Sequence, residues 1–185
     1  MTAAQIRRSV EKQKLQLNRS QRFNHFLVAH GTLFVGLCLP SIIFLNWLIE
    51  LRFNSVLSVF QVILFSAPWI VASILLYFYQ KRVLSLSKVT TPLKVSEIRQ
   101  ILSGLAQREG WSVLNSNKAF VVMKTHPGFT WNWGEKITIL FYKEEVWVNS
   151  ICDPDNEPAV YSSGRNKRNR RLIHQFLSGN GHLNG

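Results

Sequence analysis

The stretch "FLVAHGTLFVGLCLPSIIFLNWLI", Phe26–Ile49, contains no Asp, Glu, Lys or Arg, and a second stretch free of them runs from Val56 to Gln80. Each reaches the ~20 residues that an α-helix needs to cross the hydrocarbon core of a bilayer. Only six residues separate them, so the reading is an antiparallel transmembrane hairpin, about 26–49 and 56–80. A cleavable signal sequence is the competing account of the first stretch. Its apolar run is about twice the usual length, however, and a second run follows at once.

The flanks orient the hairpin. Across 185 residues the net charge is +12, with 46% hydrophobic and 17% charged residues, a balance that implies segregation along the chain rather than one mixed core. Residues 1–25 hold Arg7, Arg8, Lys12, Lys14, Arg19 and Arg22 against Glu11 alone, and Lys81, Arg82 and Lys88 follow the second run. In the short link Glu50 offsets Arg52. Positive flanks stay on the cytoplasmic side, so the expected location is a bacterial inner membrane with both termini cytoplasmic.

Residues 1–25 are expected as a basic juxtamembrane segment, with Ile6, Val10 and Leu17 near one face of a possible helix. Attraction to anionic lipid, ~1 kcal/mol per basic residue near the surface, accounts for its charges. Inside the hairpin, Pro40 and Pro68 are candidate kinks. Gly31, Gly36, Ser66 and Ser73 supply small surfaces for close helix approach. His30, Asn46 and Gln61 are the polar groups able to line a path. Two helices cannot enclose a pore, so a homo-oligomer is expected if the hairpin does more than anchor. Cys38 lies in a span and Cys152 outside it, and no Cys/His cluster has zinc spacing. No disulfide, metal or cofactor is expected.

Residues 81–91 are expected as a linker, 92–178 as one cytoplasmic domain and 179–185 as a flexible tail. Val95, Ile98, Leu102 and Leu105 recur at helical spacing before Gly110, a C-terminal cap. Four segments of strand composition follow, 111–115, 118–124, 136–142 and 145–151, the last two joined by a tight hairpin across Lys143 and Glu144. A final helix starts near Gly164, with Leu172, Ile173 and Phe176 on one face. The order helix, four-stranded antiparallel sheet, helix predicts a small two-layer α+β domain.

The start of that last helix raises the functional question. Arg165, Lys167, Arg168, Arg170 and Arg171 fall within seven positions, where a helix prefers Asp or Glu and each cation is unfavourable by a few tenths of a kcal/mol. A bound anion would reverse that sign. The loop "THPGFTWNWGEK" adds His126, Trp131, Trp133 and Lys136. The two tryptophans can share one face of an extended strand and join the core, or stack on bases beside a positive groove. Catalytic patterns are absent: there is no Walker lysine, GxSxG or HExxH. "CDPDNEP" reads as a surface turn, and nothing brings His126 and His174 together as an acid–base pair. No enzymatic activity and no DNA partner are expected.

With its short double-span anchor, positive-inside flanks, "GRNKRNRR" and "TWNWGEK", the chain resembles the ancillary membrane effectors of type III CRISPR systems. In those, two N-terminal transmembrane helices carry a small cytoplasmic domain that binds cyclic tetra-adenylate. The resemblance implies an antiviral effector that binds a cyclic oligoadenylate, acts as a homo-oligomer (a tetramer first) and responds by perturbing the membrane. Arg165, Lys167, Arg168, Arg170, Arg171, Lys136, His126, Trp131 and Trp133 would be the ligand contacts, with Pro40 and Pro68 as the moving kinks. The alternative is a non-enzymatic scaffold that interacts with anionic lipid. A narrower resemblance, "WGEKITI" followed by "NKRN" before a helix, is to a cytosolic α-β-β-β-β-α domain appended to assorted bacterial membrane proteins. It implies that Trp133–Ile139 and Asn166–Asn169 define the fold.

Overall fold

The computed structural model describes residues 1–50, 56–127, 134–156 and 162–179. The elements in order are α1 (Ala3–Glu11), α2 (Arg19–Glu50), α3 (Val56–Val83), β1 (Ser87–Val89), α4 (Val95–Glu109), β2 (Ser112–Ser116), β3 (Phe120–Lys124), β4 (Glu135–Tyr142), β5 (Glu145–Cys152) and α5 (Arg165–Leu177).

The two long helices α2 and α3 are each apolar and long enough to cross a membrane, and they pack side by side. Gly36 permits the approach: a Cβ there would stand 3.0 Å from the Trp69 Cβ. Ser73 Oγ donates to the Ala29 carbonyl at 2.7 Å. At the base of the pair, Gln80 Nε2 donates to the His25 carbonyl at 2.6 Å and His25 Nε2 to the Gln80 carbonyl at 3.0 Å. Pro40 and Pro68 lie inside α2 and α3, as expected. His30 is exposed, and the Asn46 and Gln61 side chains fall outside the described residues.

The small α+β domain holds a five-stranded antiparallel sheet in the order β1-β5-β4-β3-β2. The strands β2 to β5 form a meander, and Lys143 and Glu144 take φ of 49° and 64° to close the β4–β5 hairpin, the mirror-type turn that matches strand twist. Period-two alternation sorts the side chains. Val121, Met123, Ile137, Ile139 and Val148 face α4 and α5, where Ile98, Leu102, Ile173 and Leu177 meet them. Phe120, Val122, Leu140, Trp147 and Ile151 face the other way. Gly110 takes φ 68° and caps α4, and its neighbour Trp111 donates its backbone N–H to Ala106.

Three expectations are corrected. The sheet has five strands because Ser87–Val89, expected within a linker, pairs with β5 as Val89↔Val146 and Ser87↔Val148. Three residues of Ser-Lys-Val carry no alternation to read, and the pairing exists only because β5 offers an edge. The domain is also not two-layered. Ile6 and Val10 of α1, with Leu15, Leu84 and Leu86, cover the second face of the sheet, so the N-terminal segment belongs to the domain. The capping box that starts α1 is in the sequence: Thr2 Oγ1 accepts from Gln5 N–H at 3.3 Å while Gln5 Oε1 accepts from Thr2 N–H at 2.8 Å.

Nor do residues 81–91 leave the domain loosely hung. Asn149, fully buried on β5, donates to the Val83 and Ser85 carbonyls at 3.0 and 2.8 Å. Leu15 N–H donates to the Leu84 carbonyl at 2.9 Å. Gln21 and Asn24 of α2 donate to Asp155 Oδ1 and the Pro154 carbonyl at 2.8 and 3.0 Å. The sheet end that carries the β3–β4 and β5–α5 connections is therefore fastened to the base of the helical pair.

Candidate anion-binding groove

Helical periodicity divides the basic run of α5 into separate faces. Asn166, Asn169, Ile173 and Leu177 point inward and are buried. The two asparagines are bound to β5: Ser150 Oγ donates to Asn166 Oδ1 at 3.0 Å, and Asn169 Nδ2 donates to Ser150 Oγ at 3.3 Å. These contacts fasten α5 to the sheet.

Arg165 and Arg168 occupy the flank toward α4 and already have anions. Arg165 Nε lies 3.2 Å from Glu135 Oε2, and its Nη2 donates to the His126 carbonyl at 2.9 Å. The Glu135 side chain is fully buried and also accepts from Thr125 Oγ1 at 2.5 Å. Gly134 makes this corner possible. Its φ is 94°, and a Cβ there would overlap the Thr125 carbonyl oxygen, so only glycine fits. Arg168 Nη2 stands 2.7 Å from Glu109 Oε2 at the end of α4.

Lys136 is not brought to the run. One position from Glu135 along a strand, it emerges on the opposite sheet face and pairs with Asp155. Burial opposes ionisation of Asp155, but hydrogen bonds from Lys136 and Gln21 and the nearby Lys124 charge hold its carboxyl below the ordinary value. His126 is exposed at the end of β3, with its carbonyl taken by Arg165. Trp131 and Trp133 lie outside the described residues. His174, two turns along α5, has Nε2 3.0 Å from Ser87 Oγ. Burial first, then the Arg170 charge, hold its pKa below the ordinary value. The nine residue steps from Arg165 to His174 span about 13 Å of helix rise, so the structure does not pair His126 with His174.

The third face of α5 is the informative one. Lys167 and Arg170, with Ser162, Gly164 and Asn166, line a groove of about 570 Å³ whose opposite wall is Tyr79, Arg82, Val83 and Ser85, the last turn of α3 and its exit. Arg82, Lys167 and Arg170 have no carboxylate within ion-pair distance among the described residues. Arg171 is exposed. Arg82 is the residue that sequence reasoning missed for this site. It reads as a topology signal, and nothing along the chain reveals that α5 docks beside the end of α3.

Among the described residues no three His, Cys, Asp or Glu side chains converge to hold a metal. The Cys152 thiol is pushed up to about 11, by burial first and then by the Glu135 charge, which leaves it a packing group at neutral pH. No protein-family model, curated protein or solved structure matches the chain.

Proposed function

We propose that the chain is a bacterial inner-membrane protein that crosses the bilayer twice, with both termini cytoplasmic. Its cytoplasmic domain acts as a non-enzymatic receptor for a phosphate-bearing anion at the membrane surface. The observation that carries this reading is the split of the basic run. Arg165 and Arg168 are matched by internal carboxylates, whereas Lys167 and Arg170 converge with Arg82 in a groove that lacks one among the described residues.

Several features support the membrane part. Phe34, Phe60, Ile63, Leu64, Phe65 and Leu75 are all more than half exposed on α2 and α3, an apolar surface far larger than soluble monomers leave in water. The basic residues Lys81 and Arg82 end α3, where a cytoplasmic boundary places them. An anion in the groove touches both α5 and α3. It can bias the packing of the hairpin only by its difference in affinity between two arrangements, and Pro40 and Pro68 are the positions proposed to move.

A cyclic oligoadenylate, cyclic tetra-adenylate first, is the soluble candidate by resemblance, and would make the chain an antiviral effector. Three cations that have no carboxylate within ion-pair distance among the described residues favour a ligand with several phosphates shared among copies of a homo-oligomer, a tetramer first. The test is binding by the full chain in nanodiscs of stated lipid composition, titrated with inorganic phosphate, pyrophosphate, and linear and cyclic oligoadenylates. Lys167→Glu with Arg170→Glu is expected to abolish binding of whichever probe is taken; undiminished binding overturns the site. Reporter fusions at Ser55 and Gly185 test the topology, and periplasmic activity at Gly185 overturns it.

A further inference from the structure

The groove has a direction that a freely diffusing nucleotide does not explain. Its α3 wall is Tyr79 and Arg82, and the positions one turn earlier on the same stripe are Leu75 and Phe78. Leu75 is 65% and Phe78 60% exposed, with Val71 and Ile74 exposed a further turn away. A cationic groove thus opens directly onto an apolar helix face. That pairing of surfaces matches an amphiphile with an anionic head and hydrocarbon tails. We propose that the groove binds an anionic phospholipid of the cytoplasmic leaflet, its phosphate between Arg82, Lys167 and Arg170 and its acyl chains along Leu75 and Phe78 of α3. The assignment rests on the phosphate-receptor reading above and specifies its ligand.

Geometry explains why the three cations act on one headgroup. Lys167 and Arg170 are three residues apart on α5, hence on one face, and Arg82 faces them across the groove. Two arginine forks and one ammonium suit a phosphodiester monoanion, since guanidinium binds phosphate oxygens in pairs. Tyr79, 42% exposed beside the site, is the residue type that settles at the headgroup level. A zwitterionic headgroup offers the same phosphate but brings its own ammonium, which the cations repel, so the groove discriminates between headgroups with identical chains.

The test uses the full chain in detergent, with lipid adducts counted by native mass spectrometry. Phosphatidylglycerol and phosphatidylcholine of identical acyl composition are added in competition. Wild type is expected to retain phosphatidylglycerol preferentially. The triple variant Arg82→Gln/Lys167→Gln/Arg170→Gln is expected to lose that preference by roughly a hundredfold, from ~1 kcal/mol for each basic residue at an anionic surface. A charge-matched control, Lys94→Gln/Lys118→Gln/Lys143→Gln, removes three cations elsewhere and is expected to keep it. Equal retention of the two lipids by wild type overturns the proposal without reference to any variant, as does equal loss in control and groove variants. Binding of pyrophosphate or a cyclic oligoadenylate without lipid preference leaves the receptor reading standing and removes only the lipid. Failure of every phosphate-bearing probe removes both.

Discussion

Arg165 Nε stands 3.2 Å from Glu135 Oε2, and the carboxylate is wholly shielded from water. The first residue of α5 thus carries a cation where a helix start disfavours one, because a buried anion waits across the sheet end. Glu135 in turn tolerates burial because Thr125 Oγ1 donates a hydrogen bond to it and the Arg165 guanidinium forms an ion pair with it. The pair ties β4, the end of β3 and α5 into one corner, beside the point where the domain meets α3.

Removing Arg165 takes away the ion-pair partner of a carboxylate that is fully buried. Arg165→Met is expected to destabilise the domain by ~3 kcal/mol, the lower end for a broken buried pair, because the Arg165 side chain keeps 28% exposure. Adding Glu135→Gln removes the buried charge while retaining an acceptor for Thr125. Thermal melts of the four-member cycle should show the double variant more stable than Arg165→Met alone; strict additivity would contradict the pairing.

Neighbouring polar positions on α5 should differ sharply. Asn169→Ala strips a buried donor from Ser150 and is expected to cost roughly 1–3 kcal/mol. Lys167→Ala, exposed, should stay within about 0.5 kcal/mol. Denaturant titration compares them, and comparable losses would mean that the inward face of α5 is wrongly assigned.

Two glycines with positive φ separate strain from collision. Gly164, φ 80°, has open space around a would-be Cβ, whereas at Gly134, φ 94°, the Cβ would meet the Thr125 carbonyl. Gly164→Ala is expected to lose about 1 kcal/mol from strain alone. Gly134→Ala should lose clearly more, with a Tm below that of Gly164→Ala.

Acid should weaken the contact between α5 and β1. The folded pKa of His174 is held below 6.5 by burial and by Arg170, so the unfolded chain binds the proton more readily. The stability involved is present above the unfolded value and is lost as pH falls through the folded one. Between pH 7.5 and 5 the Tm of wild type should drop, and His174→Gln should flatten that slope. An identical slope in the variant would assign the loss to other groups.

The sequence alone determined the elements whose signals are local. Two charge-free runs produced α2 and α3, alternation and a two-residue turn produced β4 and β5, and the apolar spacing with Gly110 produced α4. It also held the distinction on α5 between an apolar face and a charged one. What it could not hold was which charge meets which. Glu135 and Lys136 differ by one position, yet the strand sends one to Arg165 and the other to Asp155 on the opposite face. Arg165, Lys167 and Arg168 look equivalent in a basic run, but a 100° step per residue gives one to Glu135, one to Glu109 and one to a groove with Arg82. The same limit hid β1, which is strand only because β5 has a free edge, and the docking of α1, whose apolar stripe does not say which surface it covers. Periodicity is a property of neighbours along the chain. Charge pairing and layer order depend on contacts between residues tens of positions apart, and only the folded domain sets those.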